Sequence, residues 1–215
     1  MNIDIAQKVV ELLNRLKNKK PLIHNITNYV TVNDCANILL AIGASPIMAD
    51  DLKESADITS IASALVINIG TLNERTIESM IASGKKANEL NIPVVLDPVG
   101  AGASSFRNET TKRILEEIKI SVLRGNMSEI KFIAGLESET KGVDASESDL
   151  KSDSDEGIRV AKSLAKRFNC TVAITGVCDI VSDGEKSVTI ENGTKMLSNV
   201  TGTGCMTTAL VGGYL

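Results

Sequence analysis

The stretch Pro21-Leu-Ile-His-Asn-Ile26, followed by Thr27-Asn28-Tyr29 and by residues 30–42 before Gly43, reads as a strand, a polar tip and a helix. A short apolar run after a proline suits a buried strand, and the apolar recurrence that follows suits a helix stopped by Gly43. Working outward, Ile5, Val9, Leu12, Leu13 and Leu16 recur at helical spacing. Lys17-Asn-Lys-Lys20 then ends a first helix over residues 4–18 with positive charge at its C-terminus. Downstream the unit repeats, with strands over 44–49, 65–69 and 92–97 and helices over 51–60 and 74–90. Strands that alternate with helices imply right-handed crossovers and a parallel sheet. A further strand is expected at 120–123, a helix opening at Asn126-Met-Ser-Glu129, a helix over 157–168, a strand over 170–174, and a hairpin over 179–190 around Asp183-Gly184. The fold class is therefore α/β, a three-layer arrangement of a mostly parallel sheet with helices on both faces and an antiparallel C-terminal edge.

Such sheets bind ligands beyond the carboxyl ends of their strands. The polar residues gather there: Asn25 and Asn28, Met48 to Asp51, Asn68 and Thr71, Asp97 with Pro98-Val-Gly-Ala-Gly102, Arg124-Gly-Asn126, and Thr175-Gly176. Near the C-terminus, Asn199-Val-Thr-Gly202-Thr-Gly204-Cys205 and the small, apolar run after it read as an anion cradle opening a helix. Gly202 and Gly204 let the backbone turn tightly and approach a ligand, and the helix aims free N–H groups and a positive dipole end at it. An ordinary glycine-bearing loop before a buried helix has the same spelling.

With 215 residues, 43% hydrophobic content and a mean hydropathy of +0.08, the chain can bury a substantial core as a single domain. Its net charge is −4, and residues 137–156 hold eight acidic and two basic side chains, so the remainder is close to neutral. That segment, rich in serine, is expected to be an exposed loop. Neither nucleic acid nor a membrane surface is suggested as a partner. Aromatic residues are 2% and there is no Trp, leaving little to build base-stacking platforms from. Four scattered cysteines, Cys35, Cys170, Cys178 and Cys205, and one histidine give neither a zinc pattern nor a disulfide framework, and no apolar run is long enough to span a bilayer. A reduced, cytoplasmic protein is expected.

Seven segments in order are similar to those of the hydroxyethylthiazole kinase family, thiamine-salvage enzymes of the ribokinase-like superfamily. They are Ile23-His-Asn-Ile-Thr-Asn28, Gly43-Ala-Ser-Pro-Ile-Met-Ala49, Leu96-Asp-Pro-Val-Gly-Ala-Gly102, Arg124-Gly-Asn-Met-Ser-Glu129, Lys141-Gly-Val-Asp144, Ile174-Thr-Gly176 and Gly202-Thr-Gly-Cys205. The resemblance runs through almost all of residues 1–215. It implies phosphorylation of the hydroxyl of 4-methyl-5-(2-hydroxyethyl)thiazole by ATP with Mg²⁺, in a homotrimer with sites between subunits. A related alcohol or pyrimidine kinase and a non-catalytic thiazole or nucleotide binder are the rival readings. The resemblance also implies that family members continue for several tens of residues beyond this turn, as helices that wall the nucleotide.

Phosphoryl transfer asks for positioning and charge neutralisation. Arg124 suits a nucleotide phosphate. Asp97 and Glu129 suit Mg²⁺, directly or through water, although a strand-end carboxylate and a helix-capping glutamate would look the same. Thr175, Gly176 and Gly204 would face ATP, and Met48, Gly202, Asn25 and Asn28 the thiazole, as the resemblance implies. A packing role for Met48 and a satisfied core role for His24 are the plain alternatives. Cys205 stands where sugar-kinase relatives carry an aspartate base. A helix N-terminus beside bound phosphate and cation favours the thiolate, which would accept the hydroxyl proton, and a structural cysteine is the alternative.

Overall fold

In the computed structural model, which describes residues 5–136 and 147–215, eight strands form one sheet in the order β2-β1-β3-β4-β5-β6-β7-β8. β1 is Leu22–Ile26, β2 Ser45–Ile47, β3 Ala64–Asn68, β4 Val94–Asp97, β5 Val122–Asn126 and β6 Thr171–Thr175; all pair in parallel. β7 (Asp179–Ser182) and β8 (Ser187–Ile190) add the antiparallel edge as a hairpin.

Side-chain alternation sorts the core into two layers. Leu65 and Ile67 of β3, Leu96 of β4 and Leu123 of β5 point to one face, while Val66, Val95 and Val122 point to the other. Strands buried on both faces need near-continuous apolar sequence, which Ala64 to Asn68 supplies. Each such side chain contributes about 1.5–3 kcal/mol by leaving water. The first face is covered by α4 (Glu74–Glu89), α5 (Ser105–Glu117), α6 (Met127–Ala134) and α7 (Glu147–Phe168). The second carries α1 (Ile5–Lys19), α2 (Val32–Ile42) and α8 (Thr203–Tyr214). α3 (Ser55–Ser60) packs on α4. Among the described residues no helix is long and apolar enough to cross a membrane.

Several elements differ from the sequence reading. β2 is three residues rather than six, with Pro46 at its middle on the sheet edge, where a missing N–H on the open side is tolerated. α3 begins only at Ser55, since residues 52–54 form a turn whose Lys53 N–H donates to the Asp51 side chain. α5 is a helix the sequence pattern did not announce. Its buried face is Thr110, Thr111 and Ile114, too polar to show a helical stripe, although Ser104 accepts the Arg107 N–H as an N-cap. The acidic stretch expected to be a loop is helical from Glu147 onward, consistent with negative charge at the positive end of a helix. Residues 137–146, including Lys141-Gly-Val-Asp144, lie outside the described residues.

The sheet order reverses between β1 and β3: the chain leaves β1 toward β2 on one side and returns to β3 on the other. A crevice outside the strand ends is expected at this switch point. α8 lies over β1, β3 and β4 and brings its N-terminus to that rim.

Candidate active site

Four polar side chains meet the first turns of α8 at the rim. Asn28, two residues past β1, is buried, and its Oδ1 accepts the Val30 and Thr31 N–H groups and the Thr31 hydroxyl. That fixes which end of the amide is the donor. Nδ2 of Asn28 donates to Asn68 Oδ1 at 2.9 Å and to Cys205 Sγ at 3.2 Å. Asn68, the last residue of β3, accepts the Gly70 N–H on Oδ1 and donates from Nδ2 to Asp97 Oδ2 at 3.0 Å and to the same sulfur at 3.3 Å. The Cys205 sulfur thus accepts from two amides.

Asp97 ends β4 and is fully buried. Its Oδ2 also accepts the Thr208 hydroxyl at 2.7 Å and lies 3.5 Å from Arg124 Nη1, while Oδ1 is buried with no protein partner. Burial pushes its pKa up to about 6, against the opposing pull of Arg124 and Thr208. Arg124 reaches from β5 to the Thr175 hydroxyl at the end of β6, and its Nε is also buried without a partner. Its guanidinium lies on bare Gly204: a Cβ there would stand 2.8 Å from Nη1 and 3.0 Å from Nη2. Gly202, the N-cap of α8, has φ +82°, and a Cβ on it would run into the Thr31 methyl at 2.3 Å.

Glu129 closes a capping box on α6. Its Oε2 accepts the Asn126 N–H, its Oε1 accepts the Gly100 N–H at 2.8 Å, and the Asn126 side chain accepts the Glu129 N–H. The 98–102 loop is thereby tied to α6. Arg107 fastens the same loop from the other side, donating to the carbonyls of Ile69, Gly70 and Val99.

A family model for the hydroxyethylthiazole kinase family matches residues 13–215. The chain belongs to this family. A protein named hydroxyethylthiazole kinase from Clostridium beijerinckii is 79% identical over 214 residues, covering 100% of this chain and 78% of that one. The solved hydroxyethylthiazole kinase structure from Pyrococcus horikoshii OT3 superposes with a TM-score of 0.86 at 42% identity, covering 97% of this chain and 76% of that one. A ribokinase-like superfamily protein from Enterococcus faecalis V583 shares the fold alone, with a TM-score of 0.60 at 10% identity over 94% of this chain and 77% of that one. The chain is thus a thiazole-kinase family member with the ribokinase-like three-layer fold.

Of the residues expected at the site, the structure brings together Asn28, Asp97, Arg124, Thr175, Gly204 and Cys205, with Gly202 and Glu129 adjoining through Thr31 and Gly100. Met48 and Cys205 pack against the same core layer. Asn25 is buried in β1, donates to the Ile23 carbonyl, and leaves its Oδ1 without a partner. Gly176 stands apart, its N–H held by Asp179. Buried His24 is shared between the Ala49 carbonyl and Thr59, with its pKa lowered by burial, so it fits the satisfied core role. Buried Cys35 and Cys170 have thiols pushed up to about 11 by burial.

Three contributors escaped the sequence reading as site residues. Asn68 stands on the rim, but nothing in its spacing marks its partners. Thr208 lies one turn beyond Gly204, and that helical spacing was the signal for it. Arg107 lies on α5, whose polar buried face carries no helical stripe.

Proposed function

We propose that the chain transfers the γ-phosphoryl group of ATP to the hydroxyl of 4-methyl-5-(2-hydroxyethyl)thiazole, with Cys205 accepting the hydroxyl proton. The observation that carries this reading is the meeting of Cys205, Asp97 and Arg124 at the N-terminus of α8, in a chain that matches the family through residues 13–215. Cys205 Sγ already accepts two N–H groups, which fixes the sulfur and leaves further acceptor capacity for an incoming O–H. As the alcohol oxygen bonds to the γ-phosphorus, the bond to the β-phosphate oxygen breaks and ADP leaves. Arg124 and the free N–H groups of α8 neutralise the negative charge spread over the phosphoryl oxygens. Thr175 orients the guanidinium, and Gly204 lets phosphate approach the backbone.

The residues present fit Mg²⁺. Asp97 Oδ1 is a buried carboxylate oxygen without a protein partner, and each Glu129 oxygen retains a lone pair beyond the one given to a backbone N–H. Among the described residues there is no all-protein cage of three ligating side chains, which agrees with an ion that keeps its waters and shares the phosphates. Bound there, Mg²⁺ would supply positive charge to the phosphate oxygens. Asp97 and Glu129 would hold it, directly or through water.

The thiazole would lie near Met48, Asn25, Asn28 and Gly202, where an apolar wall meets a few polar atoms. A homotrimer with subunits meeting at this rim is part of the same reading, supported by the exposed apolar pair Tyr29–Val30 directly after Asn28. ATP-dependent salvage in the reducing cytoplasm accords with four free cysteines. A coupled assay of ADP release with hydroxyethylthiazole, hydroxymethylpyrimidine and pyridoxal tests the substrate. Turnover confined to the thiazole is expected, and faster turnover of another alcohol would overturn the assignment. Light scattering during gel filtration tests the trimer, which a monomer at micromolar concentration would refute.

A further inference from the structure

We propose that Asn68 is a positioning residue that holds the Cys205 sulfur and the Asp97 carboxylate as one unit, so that the proton acceptor and the carboxylate beside the phosphates keep a fixed separation. The proposal rests on the reading of Cys205 as the proton acceptor, and the experiments below separate the two.

The geometry leaves Asn68 a single arrangement. Its Oδ1 is filled by Asn28 Nδ2 and the Gly70 N–H, each at 2.9 Å. Its two amide hydrogens are then divided, one to Asp97 Oδ2 at 3.0 Å and one to Cys205 Sγ at 3.3 Å. A reversed amide would set a carboxylate oxygen and two donors against like partners. The orientation therefore follows from the network and not from the shape of the side chain. Asn28 adds the second donor to sulfur from the neighbouring strand, and its own oxygen is pinned by three donors from residues 30 and 31. Three strand ends, β1, β3 and β4, are thus linked to α8 through the two amides. Thr208 closes the ring from α8 back to Asp97.

A plain packing role for Asn68 would be to close the turn to Gly70, and that bond uses only the oxygen. The two donated bonds have no part in the turn. They join groups 137 and 29 residues away in the chain, on α8 and at the end of β4. A neutral donor is suited to this place. It adds no charge beside Asp97, and hydrogen bonds in a buried network hold geometry more tightly than packing alone.

The isosteric variant Asn68→Asp retains the acceptor for Gly70 but exchanges the donors for a carboxylate oxygen. The truncation Asn68→Ala removes both. With saturating MgATP, each should lower kcat by roughly a hundredfold, the scale of a reacting group misplaced by about 1 Å, while KM for the thiazole alcohol stays within a few-fold. If Asn68→Asp keeps wild-type kcat, the turn is all that Asn68 supplies and the proposal fails. Should that variant not fold, Asn68→Ser, which keeps one donor, replaces it and is expected to retain more kcat than Asn68→Ala.

In a double-mutant cycle, the combined loss in Asn68→Ala with Cys205→Ala should fall well below the product of the single losses. Losses that multiply would overturn the positioning role. The link is also read without turnover, in ligand-free ¹⁵N-labelled protein. The Asn68 side-chain amide, assigned as the pair of signals lost in Asn68→Asp, should have one hydrogen shifted by Cys205→Ala and the other by Asp97→Asn. If neither moves, the link is absent. If both move while Cys205→Ala keeps full activity, the proton-acceptor reading of Cys205 has failed and the positioning of its sulfur has not.

Discussion

At the crevice between β1 and β3 every side-chain amide hydrogen of Asn28 and Asn68 has an acceptor, whereas on the next two strands two buried polar atoms, Asp97 Oδ1 and Arg124 Nε, have none. In the first region the Asn28–Asn68 pair is neutral with all its amide hydrogens placed, and only the neutral Asn25 Oδ1 stands open. The second is charged and keeps buried valences open, which folded proteins rarely tolerate without a reason. The difference separates a part of the site whose geometry is set in advance from a part whose electrostatics is finished by a ligand.

Removing the charge in the open region should have the largest effect. Asp97→Asn keeps the shape of the side chain but removes the carboxylate, and kcat at saturating Mg²⁺ is expected to fall on the order of a thousandfold. A loss under tenfold would move the required negative charge elsewhere. Next comes the sulfur that the neutral amides hold. Cys205→Ser should reduce kcat about a hundredfold. Cys205→Asp, which offers a stronger acceptor, should remain active with Asn28 and Asn68 still donating to it. A trapped phospho-cysteine would make the sulfur a nucleophile and break the comparison.

Gly204→Ala should act on one region only. A helical Gly→Ala change commonly stabilises by about 0.4–1 kcal/mol, but here the new Cβ meets Arg124 Nη1 at 2.8 Å. The expected result is a rise of about tenfold in KM for MgATP with an unchanged melting temperature and an unchanged KM for the thiazole. Equal changes in both KM values would mean that the two regions are not separable.

The smallest effect concerns pH. Asp97 holds its proton more tightly in the folded chain, so between its ordinary value of about 3.9 and the raised value of about 6 the native state binds more protons than the unfolded one. Its contribution to stability is present below that window and is lost as pH rises through it. Denaturant unfolding of the ligand-free chain should show this decline in the wild type and not in Asp97→Asn. A parallel slope in both proteins would assign it to another group.

The open region was legible in the sequence because its residues end strands or flank glycines, as Asp97, Arg124 and Gly204 do. The closed region was only half legible. Asn28 and Cys205 carried motif signals, but the role of Asn68 depends on which amide atom faces which neighbour, and that is set by residues 40, 29 and 137 positions away. The parallel sheet could be read from period and breakers, since Ala64 to Ile67 of β3 and Val94 to Leu96 of β4 are continuous apolar runs. α5 could not, because threonines make most of its buried face. Glu129 shows the limit in another way: its spacing from Asn126 announced the capping box, but its second bond, to Gly100, follows from tertiary packing alone.

α8 brings its small residues against the sheet. A Cβ on Gly212 would come within 2.6 Å of Val66, and one on Gly213 within 3.1 Å of Ile42. In mechanical terms the helix is a beam clamped at its far end, and seven residues, about 10 Å of helix, separate the clamp from Cys205. Its seating height at Gly212 therefore sets where the sulfur stands above Asn68. A single methyl group deep in the core would lift the beam, stretch the Thr208–Asp97 bond on the way and reach the Cys205 sulfur as a displacement.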